Sequence, residues 1–373
     1  MNKIWRLGNK LFLVIFFFLP AVLSAQVNPA LRYTEMDRAL SSLEAKTAKA
    51  TASPVQPQGS FWKILFNNNE RQSVIEQALR NIEIDISFQE SIGRGEQVFE
   101  VVDTDGSKIS RLLYPQRGSI FTGNAELRLF PRFSFGGSLG SSRFRNTVAT
   151  DTDWQSDIQP GVWWESNSDC KARVDTYNVN LYFRLLDLKD ITIAQEMREY
   201  LNLEQVDEFT FDIFTGYERF KGRYRMTNGR DTVENWVPVT NAAFDGLDSF
   251  YKVQYQGPRL GLRMGMKVNK WFSTRFAFSY AWLKTEAYGW WNLRDYQFWQ
   301  KGASGEGLTY NLEFLVHLTP HWYVGAGYFY SCHKQRRMIE YGREAAATYD
   351  DVDIIRNVNN RLYGPTFKVG CNW

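Results

Sequence analysis

Tyr363-Gly-Pro-Thr-Phe-Lys-Val-Gly-Cys-Asn-Trp373 is the stretch on which the reading of this chain turns. In an extended backbone Tyr363, Pro365, Phe367, Val369, Cys371 and Trp373 share one face. Gly364, Thr366, Lys368, Gly370 and Asn372 share the other. An apolar face opposite a small or polar one, ending on an aromatic residue, matches the closing strand of a transmembrane β-barrel. A half-buried strand of a soluble sheet alternates in the same way, so the rest of the chain has to separate the two.

The N-terminal end reads as an export signal. Met1 to Lys10 carries Lys3, Arg6 and Lys10 and no acid, Leu11 to Leu23 is apolar apart from Pro20, and Ser24-Ala25 offers small residues for cleavage. Residues 1–25 are therefore expected to be a signal peptide. The apolar run is too short to cross a bilayer as a helix, and no cysteine follows it to carry a lipid anchor. No later stretch approaches twenty apolar residues. A chain of this kind crosses a membrane only as a closed barrel, because lipid leaves no other way to satisfy every backbone polar group.

Composition agrees. The 44 Lys and Arg exceed the 41 Asp and Glu by the three cations of the leader, so the mature chain is near neutral and no nucleic-acid partner is expected. Aromatic residues make up 16% of the chain while mean hydropathy is negative, a combination that suits aromatic girdles better than a soluble core. The three cysteines, Cys170, Cys332 and Cys371, do not form a disulfide framework.

Residues 26–80 do not alternate. Met36, Leu40 and Leu43 are spaced as on a helix within Glu35 to Lys49, a Pro- and Gln-containing linker follows at 51–59, and a second short helix is predicted over Glu70 to Arg80. This region is expected to be a helical periplasmic extension. From residue 81 the period becomes two. Segments containing Ile84, Leu127, Phe135, Leu181, Phe211, Leu262, Phe278, Leu312, Val324 and Phe367 give ten alternating strands. Tight turns are predicted near Phe130-Pro131, Asn269-Lys270 and Thr319-Pro320-His321. Long polar loops are predicted over 145–172, 223–250, 284–305 and 336–358, and a helix-like insert over Ile193 to Tyr200. The expected fold is all-β: a ten-stranded antiparallel transmembrane barrel over 81–373, in the outer membrane, with long loops outside and short turns in the periplasm.

At Thr150-Asp-Thr-Asp-Trp154, followed by Pro160-Gly-Val-Trp163, the chain resembles the omptins, ten-stranded outer-membrane proteases that cut beside basic residues. The likeness continues through Asn81-Ile-Glu-Ile-Asp-Ile-Ser87, Asp175-Thr176, Thr215-Gly-Tyr217, Tyr251-Lys252 and Pro258-Arg-Leu-Gly261. The resemblance implies a site in which two Asp face an Asp-x-His pair, the His acting as base. Asp151 and Asp153 match the first half. The second half is missing: near Gly289 to Trp291, where omptins place Asp-x-His, there is no His, and Trp cannot accept a proton. The acidic substrate pocket is also thin, with Glu96 or Gln97 and Glu286 as its remnants. His333 is the one candidate for a relocated base, whereas His317 and His321 flank a turn at the other end. The omptin lipopolysaccharide patch is represented by Tyr217, with Arg219 and Lys221 beside it and Gln254 where an Arg is expected. Arg223 and Arg225 extend the basic cluster. More distantly, the alternating barrel resembles the Protochlamydia outer membrane protein family, which has porin members.

Alternation assigns a lumen face that includes Arg259, Arg263, Lys267, Arg275, Asp212 and Glu313. Arg128, Arg132, Arg184 and Lys368 join the bases, and Glu83, Asp85 and Glu126 join the acids, so a mildly positive, wet lumen with weak anion preference is expected. Two functions follow. One is a barrel without proteolytic chemistry, acting as a narrow pore or as a surface structural or adhesion protein. The other is an omptin-like endopeptidase with an altered centre. Neither calls for a metal or cofactor. Expected partners are outer-membrane lipid, including lipopolysaccharide, and the barrel-assembly machinery, which would engage the strand ending at Trp373.

Overall fold

The computed structural model describes residues 82–102, 106–155, 158–188, 206–344 and 351–373. The signal peptide, the helical extension over 26–80 and the Ile193–Tyr200 insert lie outside the described residues. No helix among the described residues is long and apolar enough to cross a membrane. The strands are β1 (Glu83–Val102), β2 (Lys108–Phe130), β3 (Phe133–Trp154), β4 (Val162–Asp187), β5 (Glu208–Glu234), β6 (Val237–Asn269), β7 (Phe272–Trp291), β8 (Tyr296–His317), β9 (Trp322–Gln335), β10 (Met338–Glu344) and β11 (Asp351–Asn372).

Each strand pairs antiparallel with the next, and β11 returns to pair with β1. Both β9 and β10 lie between β8 and β11, one continuing the other after a break at Arg336-Arg337. The ring therefore has ten positions, as the alternation predicts. Closure is completed by a pair of 2.9 Å hydrogen bonds between the backbones of Ile84 and Trp373. A closed ring leaves no unpaired edge in lipid.

Local chemistry sets the tight turns. The Asn269 side chain accepts hydrogen bonds from the N–H groups of Trp271 (2.8 Å) and Phe272 (3.0 Å). Thr319 Oγ1 does the same for His321 and Trp322. Such side-chain caps replace ladder bonds where the chain reverses. At the other end, Asn235 and Trp236 both adopt left-handed backbone (φ 51° and 64°) between β5 and β6. That is the two-residue hairpin geometry whose twist suits paired strands.

The predicted long loops are largely not loops. The segments 145–172, 223–250 and 284–305 are mostly paired strand, so β5 runs 27 residues and β6 runs 33. Between them lies only a two-residue turn. In 336–358, β10 and β11 carry the ladder on either side of residues 345–350. The barrel wall thus extends well past the apolar belt.

That belt is explicit. Phe88, Phe121, Leu139, Val179, Leu181, Leu260, Phe314 and Phe367 are all exposed on the outer face. Opposite them the interior is polar. Arg263 donates to both oxygens of Glu126 (2.5 and 2.9 Å) and to Asp212 (2.7 Å), and its guanidinium stacks 4.0 Å from the Tyr182 ring. Arg184 donates to Asp212 at 3.1 Å. Arg275 and the Tyr323 hydroxyl share Asp85, and Lys368 pairs with Glu313. Buried charges persist only when they are paired and hydrogen-bonded in this way.

Towards the long-hairpin end the pattern inverts. There the apolar side chains point inward and the polar ones outward. Tyr114, Tyr224, Tyr251 and Phe298 are at most 1% exposed. Tyr114 stacks on Tyr224 at 4.6 Å and on Tyr251 at 5.7 Å, and Tyr251 stacks on Phe298 at 6.1 Å. These rings come from β2, β5, β6 and β8, on different sides of the ring, so they meet across the lumen. Each such pair adds about 0.5–1.5 kcal/mol beyond its buried area.

Candidate functional site

Asp151 and Asp153 lie on β3, opposite Leu112 and Ser110 of β2. A register shift between Phe144 and Thr147 turns the odd-numbered residues of β3 inward beyond it. Both carboxyls therefore point into the hairpin end of the barrel, above the aromatic layer. They are close enough to repel. Burial and the neighbouring Asp153 push the Asp151 carboxyl up to about 8, with the Arg294 guanidinium and the Thr152 N–H pulling the other way. Burial also raises Asp153, against a hydrogen bond from Ser110 and the charge of Arg294. Burial and mutual repulsion thus favour the protonated form of this carboxyl dyad.

The cation whose charge acts on both carboxyls is Arg294, in the short 3-10 turn at Asn292–Arg294 between β7 and β8. Sequence reasoning missed it because a three-residue turn has no period to project its side chains. A guanidinium stabilises a carboxylate but cannot accept a proton at working pH. His333 is held elsewhere. Its Nε2 lies 3.3 Å from Glu218 Oε1, and its ring packs against Phe220 and Tyr255 at 4.9 and 5.4 Å. The geometry therefore does not bring His333 to the Asp pair. No cluster of three or more metal-ligating side chains occurs among the described residues.

The predicted lumen residues Arg259, Arg263, Lys267, Arg275, Asp212 and Glu313 all face inward, Lys267 at the tight-turn end opposite Glu208. A further acid, Glu218, was not predicted and lies among them, taking a 3.3 Å contact from Arg259 as well as from His333. Glu340 is buried inside too, hydrogen-bonded by Gln300 at 2.6 Å. Arg132, expected inside, is exposed in a turn. These corrections remove the expected positive excess. The lumen holds a chamber of about 320 Å³ whose mixed lining includes Asp85, Asn178, Arg263, Ser279 and Lys368.

Tyr217, Arg219 and Lys221 are brought together on the outer face of β5. Arg219 donates two hydrogen bonds to Gln254 (2.9 and 2.6 Å). Partial burial and the like charges of Arg219 and Arg223 hold the Lys221 amine below its usual range.

Ring, belt and inward-facing dyad define an outer-membrane β-barrel of omptin-like fold. The outer membrane protease OmpT from Escherichia coli matches this chain with a TM-score of 0.66 at 14% identity, over 78% of this chain and 97% of that one. At that identity the match speaks for the fold alone. The translocator domain of the autotransporter NalP from Neisseria meningitidis matches at TM-score 0.32 and 10% identity, over 82% of this chain and 94% of that one. A Pseudomonas aeruginosa FadL homologue matches at TM-score 0.26 and 10% identity, over 83% and 93%. Both are too distant in shape to bear on the fold. The family model of the Protochlamydia outer membrane protein matches residues 189–355. No curated protein matches the sequence.

Proposed function

We propose that this chain is an occluded outer-membrane barrel, a structural or adhesive surface protein whose working part is the hairpin end. In this reading the long hairpins are extracellular, and the tight turns and residues 26–80 are periplasmic. The observation that carries it is the aromatic layer of Tyr114, Tyr224, Tyr251 and Phe298, which fills the lumen where a porin would be open. Below that layer the ion pairs join facing walls and narrow the path further. The apolar belt meets outer-membrane lipid, and Tyr217, Arg219 and Lys221 sit where they would meet lipid phosphates, including those of lipopolysaccharide. The last strand, ending at Trp373, would be the contact with the assembly machinery. In a planar lipid bilayer the purified protein is expected to insert without unitary current steps. Reproducible steps of defined size would make it a pore.

A second reading, an endopeptidase acting beside basic residues, is favoured by one observation: Asp151 and Asp153 remain paired and inward. Cleavage of a dibasic fluorogenic peptide, with lipopolysaccharide present, tests it.

A further inference from the structure

On the outer face, beyond the apolar belt, one line of cross-strand neighbours runs through seven strands. Arg143 of β3 lies opposite Arg173 of β4, Arg173 opposite Arg223 of β5, and Arg223 opposite Lys252 of β6. Lys252 then lies opposite Tyr288 of β7, Tyr288 opposite Trp299 of β8, and Trp299 opposite Tyr341 of β10. The row is four cations followed by three aromatic rings, and Trp299 and Tyr341 are 40% and 42% exposed. The cationic half is backed by Arg145 and Lys171 in a surface groove of about 370 Å³.

Like charges directly opposite one another on a sheet destabilise it. Acids relieve only part of this row. Arg173 has Asp175 at 3.0 Å, and in the next tier Arg225 has Asp248. Arg143, Arg145, Lys171 and Arg223 have no carboxylate at ion-pair distance among the described residues. Such a row is stable when an anion with several charges lies along it. Strand spacing of roughly 4.8 Å makes the cationic half about 14 Å long and the whole row about 29 Å. That is the footprint of a chain rather than of a single phosphate.

The aromatic half narrows the ligand class. Lys252 sits 4.6 Å from the Phe250 ring and 5.7 Å from the Tyr288 ring, and Tyr288 lies 5.4 Å from Trp299. These rings cover no core. Exposed rings beside cations offer flat faces for sugar rings and charge for their acidic groups. Single-stranded nucleic acid alternates phosphate and base, so it needs cations and rings interleaved along its track; here they fall in two separate blocks. The row also leaves the membrane. Arg143 is four residues from Leu139, an outward apolar residue of β3, whereas Trp299 is nine residues from Leu308 of β8. A lipid headgroup, held at constant depth, cannot follow that climb.

We infer that this row binds an acidic polysaccharide outside the membrane, its charged groups on Arg143, Arg173, Arg223 and Lys252 and its sugar rings on Tyr288, Trp299 and Tyr341. The inference rests on the proposed orientation with the hairpins outside. It is independent of lumen occlusion, since current steps in a bilayer would overturn the latter and leave this binding untouched.

The test uses full-length protein in uncharged detergent and a heparin oligosaccharide as the probe, followed by fluorescence titration at several salt concentrations. Folding of each variant is checked by its strand circular dichroism. Arg143→Gln with Arg223→Gln is expected to weaken binding at least tenfold and to flatten the salt dependence. Trp299→Ala with Tyr341→Ala is expected to weaken it several-fold at unchanged salt dependence. Arg361→Gln, elsewhere on the outer face, is expected to change nothing. Equal weakening by Arg361→Gln, or no effect of the aromatic pair, would reduce the interaction to general charge attraction and overturn the inference. Tighter binding of a single-stranded oligonucleotide of equal charge, or of anionic lipid vesicles in place of the glycan, would overturn it as well.

Discussion

Glu218 of β5 and His333 of β9 meet inside the barrel at 3.3 Å, with Arg259 on the second oxygen of the same carboxylate. Both residues are nearly inaccessible, at 4% and 5% exposure. Arg259 also donates to Asn180 at 2.8 Å, so one carboxylate organises a guanidinium and an imidazole from different walls. Removing its charge leaves Arg259 buried with neutral amide partners alone. Glu218→Gln is therefore expected to cost about 3–5 kcal/mol, as breaking a buried ion pair generally does. Urea unfolding of detergent-solubilised protein measures it, and a loss below about 1 kcal/mol would show that water already screens the pair.

The same residue shows where sequence stopped and structure began. Within the apolar belt, alternation put Ile84, Leu127, Leu181 and Phe278 on the lipid side, and the strands followed. The ladder closes with the ten positions so read. Beyond the belt the outer face is wet, and polarity outside against aromatics inside reverses the pattern. Arg223-Tyr224-Arg225-Met226 is as regular a strand as any other, yet with charged residues outside it reads as a loop. Glu218 sits at that change of pattern, flanked by the outward Tyr217 and Arg219, which drew attention to the wrong face. Asp151 and Asp153 were legible through a motif. Arg294, which answers them, was not, because its position depends on how β7 and β8 meet rather than on spacing.

The dyad makes stability depend on pH. The Asp151 carboxyl titrates near 8 in the folded chain and near 4 when unfolded. Between those values the folded state binds the extra proton, so stability falls as pH rises through that window and levels off above it. Asp151→Asn cannot ionise and escapes the penalty. Thermal unfolding at pH 5 and pH 9 is expected to bring the variant from near parity to a melting point a few degrees above the wild type. A constant difference at both pH values would mean that Asp151 is ionised throughout.

The missing base bears on proteolysis. With the charge of Arg294 acting on the dyad and His333 committed to Glu218, no histidine among the described residues is placed to serve the Asp pair as base. Hydrolysis of a dibasic fluorogenic peptide is expected to match a boiled control, in wild type and Asp153→Asn alike, with lipopolysaccharide supplied. Turnover that disappears in Asp153→Asn would restore the endopeptidase reading. If such turnover survived His333→Ala, the base would have to be sought in the dyad.

The aromatic layer makes the sharpest prediction about transport. Tyr251 stacks with Tyr114, Tyr224, Phe99 and Phe298, and its hydroxyl donates to Gln300 at 2.9 Å. It is the ring that most of the others touch, and the backbone ladder does not depend on its side chain. Truncating it removes a large buried ring at a cost of about 3–5 kcal/mol, which a closed ladder of this length can absorb. Tyr251→Ala combined with Tyr114→Ala is expected to remove the central stack and give intermittent current steps in planar bilayers where the wild type gives none. Glu126→Gln, which loosens only the lower Arg263 pairing, is expected to leave the bilayer silent, because the layer above it still fills the lumen. Steps in Glu126→Gln with none in the double tyrosine variant would move the barrier from the rings to the ion pairs.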